Sequence, residues 1–161
     1  RKAPFKAKLT EIIEEGAAAF VALLDDREAK ADPIALPDGT FVARLPGYRR
    51  WMWDDGFCGS ISFRWQPGTP DLPAHCLGHI GYAVPAWKRR RGYATKALGM
   101  LLPEVAKEGL PYVELTTDLD NLPSQRVITA NGGQLVKRFT KIAAYGDNVE
   151  ALLFRIALPA A

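Results

Sequence analysis

At 161 residues the chain suits one domain with a sizeable core, and residues 1–161 are read as a single unit. Hydrophobic residues at 48% and charged residues at 24% exclude a disordered chain, and no apolar run reaches the roughly 20 residues a membrane span needs. A net charge of +3 is too mild to point to nucleic acid. The two cysteines, Cys58 and Cys76, do not make a disulfide framework and suit a reduced, cytoplasmic protein. The basic start Arg1-Lys2-Ala3-Pro4-Phe5-Lys6 lacks the apolar stretch of a secretory signal. The chain begins at Arg1 rather than Met, which leaves room for further N-terminal elements.

Residues 8–30 read as helical: Leu9, Ile12, Ile13, Phe20, Leu23 and Leu24 recur at three- and four-residue steps, with Gly16 a point where two helices could divide. Asp32-Pro33 and Pro37-Asp38-Gly39 make residues 31–47 an irregular connection, leaving room for a short strand at Thr40–Arg44. Arg49–Asp54 and Phe57–Trp65 form a hairpin about Asp54-Asp55-Gly56, because Asp-Gly supplies the positive φ of a tight turn. Trp51, Trp53, Phe63 and Trp65 crowd that hairpin, and at least half of them are expected in the core. Gln66–Pro73 is a loop.

His79–Val84 is a short strand. Ala94, Ala97, Leu98, Leu101, Leu102, Val105 and Ala106 then mark one apolar helix face, with Pro103 a potential kink and Gly109 a natural end. Tyr112–Thr117 is a strand, and Leu122–Asn131 a helix with Pro123 in its first turn, ended by Gly132-Gly133. Leu135–Phe139 and Ala151–Leu158 are the last two strands, with a turn at Tyr145–Asn148. This order predicts an α/β (α+β) fold: a mixed, mainly antiparallel central sheet flanked by helices. The strand–helix–strand unit at 79–117 implies a parallel pair with a right-handed crossover.

The chemistry concentrates between His79 and Thr95. A strand runs into Lys88-Arg89-Arg90-Arg91-Gly92, and a helix begins near Ala94. Free N–H groups at a helix N-terminus bind anions, the helix dipole adds to that preference, and glycine lets backbone approach closely. Neither a P-loop nor a three-glycine dinucleotide fingerprint is present. A solvated basic loop is the plain alternative.

The motif Arg89-x-x-Gly92-x-Ala94 resembles the Arg/Gln-x-x-Gly-x-Gly/Ala signature of the GNAT superfamily of N-acetyltransferases. Gly78-His79-Ile80-Gly81-Tyr82-Ala83-Val84 is similar to that family's fourth strand. Asp118 through Ile128, with Asn131-Gly132-Gly133 after it, is similar to its Asn-x-x-Ser helix and terminal turn. The resemblance runs over roughly residues 48–158, whereas residues 1–47 match poorly.

The resemblance implies a GNAT-like sheet whose parallel pair surrounds an acetyl-CoA site, with no metal. It implies that the backbone of Tyr82, Ala83 and Val84 bonds the pantetheine arm. The loop Arg89, Arg90, Arg91, Gly92, Tyr93, Ala94 and Thr95 would hold the pyrophosphate, chiefly through the N–H groups of Arg90 to Thr95. Asn121 and Ser124 would touch the pantetheine, and Asn121 also reads as a helix N-cap. The activity implied is acetyl transfer to a primary amine by direct attack in a ternary complex; the alternative is an inactive acetyl-CoA-binding sensor. One departure is clear: where many members carry a helix Tyr that protonates the leaving thiolate, this chain has Ile128.

An amine must shed a proton before it attacks. His79, at the start of the thioester-facing strand, is the first candidate base, with a structural histidine as its plain reading. Glu114, a carboxylate in an apolar strand, is the second. Asp118 and Asp120 suit a solvated turn, and Tyr145 is a candidate acid by type only. His75, Cys76, His79 and Cys58 lack zinc-ligand spacing. Asp54-Asp55 could attract a cationic acceptor but reads first as turn chemistry. The acceptor, a small-molecule or peptide amine, is not named by any motif. An exposed strand edge near the C-terminus could support a homodimer; nucleic acid and membrane are not expected partners.

Overall fold

The computed structural model describes residues 16–160. Residues 8–15 of the helical stretch expected over 8–30 lie outside them. Within them, α1 spans Ala17–Ala22 only, and residues 23–30 are not helical. Tertiary pairing overrides the helical spacing there. Arg49 N–H donates to Leu24 O at 2.8 Å, and β1 (Asp25–Asp26) pairs antiparallel with Tyr48 and Gly47. The Asp26 carboxylate then accepts from the N–H groups of Lys30 and Ala31, which reverses the chain. Two short strands, β2 (Ile34–Ala35) and β3 (Phe41–Val42), pair across the expected Pro37–Gly39 turn.

The hairpin forms where alternation and Asp-Gly place it. β4 (Gly47–Trp53) pairs antiparallel with β5 (Phe57–Arg64), and Asp55 and Gly56 take φ of 49° and 123° at the turn. Phe63 is buried and Trp65 packs against the core, whereas Trp51 and Trp53 are exposed. β6 (Ile80–Ala83) joins the other side of β5, giving the order β1-β4-β5-β6. A second sheet contains β7 (Tyr112–Asp118), β8 (Gln134–Thr140) and β9 (Glu150–Ala157) in the order β7-β9-β8. All these ladders are antiparallel.

Helix α2 (Tyr93–Ala106) buries Leu98, Leu101 and Val105, the apolar face its spacing predicts. It continues through Pro103; the carbonyl that proline leaves without a partner belongs to Gly99, which is exposed to water. Helix α3 (Leu122–Ala130) buries Ile128 completely. Gly133 lies against that residue so closely that a Cβ would fall 2.8 Å from Ile128 O and collide with its Cγ2 methyl.

The two sheets meet where the parallel pair is expected, and they meet at one point. His79 N–H donates to Glu114 O at 2.8 Å. Glu114 N–H then donates to the His79 ring nitrogen Nδ1 at 2.9 Å. An imidazole thus takes the place of a strand carbonyl, and no β6–β7 ladder continues among the described residues. Beyond this junction both β6 and β7 are edge strands.

His79 is fully buried. Burial holds its imidazole below the ordinary value of about 6.5, with the nearby Glu114 carboxylate pulling the other way. As pH falls the unfolded chain therefore takes up this proton first, so stability is lost as pH drops through about 6.5 toward the depressed native value. Denaturant midpoints measured between about pH 7.5 and 5 should fall for the wild type, and His79→Gln should flatten part of that slope. Identical slopes would show that His79 does not titrate as described. Gly133→Ala should cost about 1–3 kcal/mol in the same assay, because Ile128 must shift in a packed core.

Candidate functional site

The splay between β6 and β7 opens a cleft of about 160 Å³ lined by Ile80, Gly81, Tyr82, Leu115, Thr116, Asn121, Ser124 and Ile128. Its floor is apolar and its rim polar. Asn121 caps α3, its Oδ1 accepting from Ser124 N–H at 3.2 Å. The Tyr82 hydroxyl reaches across to Ser124, 2.7 Å from Oγ and 3.2 Å from the carbonyl. Burial raises the Tyr82 phenol above its ordinary value, with the Ser124 bond opposing. Thr116 Oγ1 bonds Leu77 O and steadies the opposite wall. Of the three strand residues expected to face a ligand, Tyr82 lines the cleft, while Ala83 and Val84 continue from it toward the basic loop.

That loop is shaped by its backbone. Arg89 is extended at φ −68°, ψ 164°, and its Nε donates to Val84 O at 3.0 Å. Arg90 and Gly92 are left-handed at φ 61° and 76°. Among the described residues, no N–H from Arg90 to Thr95 donates to a protein acceptor. The first bond into the helix is Lys96 N–H to Gly92 O at 3.0 Å. Arg89, Arg90, Arg91 and Gly92 are exposed. The result is a set of free donors at the N-terminus of a 14-residue helix, an anion-binding arrangement with three arginines around it. A Cβ on Gly92 would meet no protein atom, so glycine is needed here for its φ.

Other contacts hold the loop in place. The Tyr93 hydroxyl donates to Asp54 Oδ2 at 2.7 Å, so this turn acid also anchors the helix start. Asn131 Nδ2 donates to Thr95 O and Val127 O, tying α2 to α3. A strand-and-loop reading of the sequence misses both, because each pair is far apart in the chain. The Asn that opens the Asn131-Gly132-Gly133 turn is the one local signal.

The candidate bases sit differently from one another. The single lone pair of neutral His79 is used at Nδ1, which places the proton on a buried Nε2. His79 therefore has no free nitrogen for an amine proton. Glu114 keeps part of its side chain in solvent and bonds Arg155 Nη2 through Oε1 at 2.7 Å, leaving Oε2 open. Asp118 is engaged by Lys141, and the Tyr145 hydroxyl donates to His75 O. Among the described residues no three His, Cys, Asp or Glu side chains gather as a metal-ligand group. A larger depression of about 380 Å³ between α1 and β4 is lined by Val21, Leu24, Arg49 and Trp51, among others. It lies away from the loop, and its Arg50 and Asp25 pair with each other.

No curated protein matches the chain significantly. Among solved structures, ribosomal L7/L12 α-N-protein acetyltransferase (RimL) in complex with coenzyme A aligns at TM-score 0.59 and 20% identity, covering 71% of this chain and 64% of that one. Mycobacterium smegmatis RimJ in complex with CoA-disulfide aligns at 0.55 and 23%, covering 69% and 53%. The microcin C7 self-immunity acetyltransferase MccE, in complex with acetyl-CoA and AMP, aligns at 0.55 and 19%, covering 70% and 61%. The chain thus spans less than two thirds of each, and the likeness establishes the fold. Residues 14–134, well over half of the chain, match the family model described as an acetyltransferase (GNAT) domain, and the chain belongs to that family.

Proposed function

We propose that this chain is an acetyl-CoA-dependent N-acetyltransferase. The observation that carries the reading is a juxtaposition: a cleft walled by two open strand edges leads to a helix N-terminus with six consecutive unpaired N–H groups. A long ligand with amides along its arm and a pyrophosphate at its end fits both parts. Acetyl-CoA, when bound, supplies an activated acetyl thioester. The N–H groups of Arg90, Arg91, Gly92, Tyr93, Ala94 and Thr95 would hold its pyrophosphate, with Arg89, Arg90 and Arg91 adding charge. The edge of β6 from Tyr82 through Ala83 to Val84 would bond the pantetheine arm, with Asn121 and Ser124 on the other side.

For the amine, Glu114 is the base we carry forward, acting through water from its open Oε2. His79 is assigned to the sheet junction. Direct attack in a ternary complex needs no covalent enzyme intermediate. The open outer edge of β8, which exposes Leu135 and Val136, is the surface we propose for a homodimer. Two free cysteines favour a reducing, cytoplasmic setting. No described helix is long and apolar enough to cross a membrane.

The inactive-sensor reading rests on Ile128, which is buried where a proton-donating Tyr is expected. Turnover separates the two. With acetyl-CoA and a panel of amines, free thiol should appear, and Glu114→Gln should lower kcat by roughly 10²-fold or more. Tight acetyl-CoA binding without turnover on any amine would favour the sensor. In calorimetry Gly92→Val should nearly abolish acetyl-CoA binding, because valine resists a φ of 76°. Arg91→Ala should weaken it only severalfold, since a partly screened side-chain contact is worth about 1 kcal/mol. Equal losses would mean that side chains, not backbone, carry the phosphate.

A further inference from the structure

Arg64 ends β5, where Ile61 and Phe63 face the core and Ser62 and Arg64 alternate to the opposite face. Its guanidinium crosses to the neighbouring strand. A Cβ on Gly81 would lie 2.8 Å from Arg64 Nη2, and Gly81 lines the cleft between β6 and β7. The cation therefore lies beside a residue of the cleft wall, although Arg64 is not itself one of the lining residues.

It does so without a counter-charge. The Arg64 Nε is buried and has no hydrogen-bond partner among the described residues. Arg27, Arg50, Arg138 and Arg155 each meet a carboxylate, and Arg64 meets none among the described residues. The titratable groups that sense it are Cys76, His79 and Tyr145. Burial favours the neutral form of all three, raising the thiol and the phenol and lowering the imidazole. Glu114, on the adjoining strand, pairs through Oε1 with Arg155 and not with Arg64. Ser62 Oγ turns to Gly81 O. Arg64 is half-buried: its unpartnered Nε costs free energy, and the remainder of the guanidinium is a cation without a carboxylate, to which a ligand anion would add a charge-assisted pair. The planar fork of arginine matches a carboxylate bidentately.

We infer that Arg64 binds a carboxylate of the acceptor, so that the acceptor class is an amine that carries a carboxylate on the same molecule. This rests on the acetyl-transfer reading above and narrows it. An α-amino acid holds its amine two bonds from its carboxylate. With the carboxylate on Arg64, the amine would lie near Gly81, which lines the cleft. A peptide that begins with Asp or Glu presents the same pair of groups from a different source.

The test compares α-amino acids, their carboxamides, and C-terminally amidated dipeptides that begin with Asp or Glu. The wild type should favour the acids over the carboxamides by roughly tenfold or more in kcat/KM, the scale of one charge-assisted pair. Arg64→Gln should collapse that ratio to near unity, and Arg64→Lys should keep part of it. Activity on the acid-first dipeptides but not on free amino acids would place the carboxylate on a peptide. A second readout needs no turnover: calorimetry should show N-acetylated amino acids binding the wild type more tightly than their carboxamides, and Arg64→Gln should remove the difference.

Equal treatment of acids and amides by the wild type, in both assays, would overturn the inference. So would a ratio that survives Arg64→Gln, or a variant whose only change is a lower denaturation midpoint. Absence of acetyl-CoA binding and of thiol release with every amine would instead sink the acetyl-transfer reading, and the calorimetric comparison would still decide the role of Arg64.

Discussion

The geometry of this domain turns on one hydrogen bond made by an unusual acceptor. Where β6 and β7 first meet, the N–H of Glu114 donates to the ring of His79 instead of to a strand carbonyl. A side chain cannot propagate a ladder, because it offers one acceptor and no matching donor one step further on. The two sheets are joined there and diverge beyond it. Full burial of the ring makes the junction rigid, and the depressed basicity that burial causes keeps the acceptor lone pair free to take that bond. The cleft is thus a consequence of where pairing stops.

The rest of the site is arranged around that stop. Helix α2 follows β6 through the basic loop, which Arg89 Nε ties to the end of that strand at Val84 O. Its position is held from two directions, by Tyr93 against Asp54 and by Asn131 against Thr95. Helix α3 brings Ser124 over the cleft, where Tyr82 meets it. Ile128 and Gly133 fit tightly beneath. Each contact between elements joins residues well separated in sequence, so the site depends on the whole domain being packed.

The range of each interaction decides whether it is legible in the sequence. Alternation and Asp-Gly locate the hairpin, and a regular apolar stripe locates α2 with its buried residues, because these signals are local. The helical spacing at Leu23 and Leu24 misleads, since pairing with β4 and the Asp26 turn outweigh a weak propensity. The basic loop is visible by its charge, but the backbone N–H groups to which we give the proposed phosphate contacts are set by the left-handed Arg90 and Gly92. His79 suggests a base by residue type, and its actual partner, Glu114 N–H, cannot be inferred from spacing. Arg64 gives no sequence signal at all, because its isolation is a property of what surrounds it in space.

The two walls of the cleft are both open strand edges, each a row of backbone groups without a neighbour. Such edges invite pairing with other chains when left bare. A ligand that spanned them, as proposed for acetyl-CoA, would supply the missing partner and would bind the folded chain but not the unfolded one. By mass action its concentration would then add to the stability of the folded chain. The same small molecule would thus slow the loss of each copy to aggregation and proteolysis.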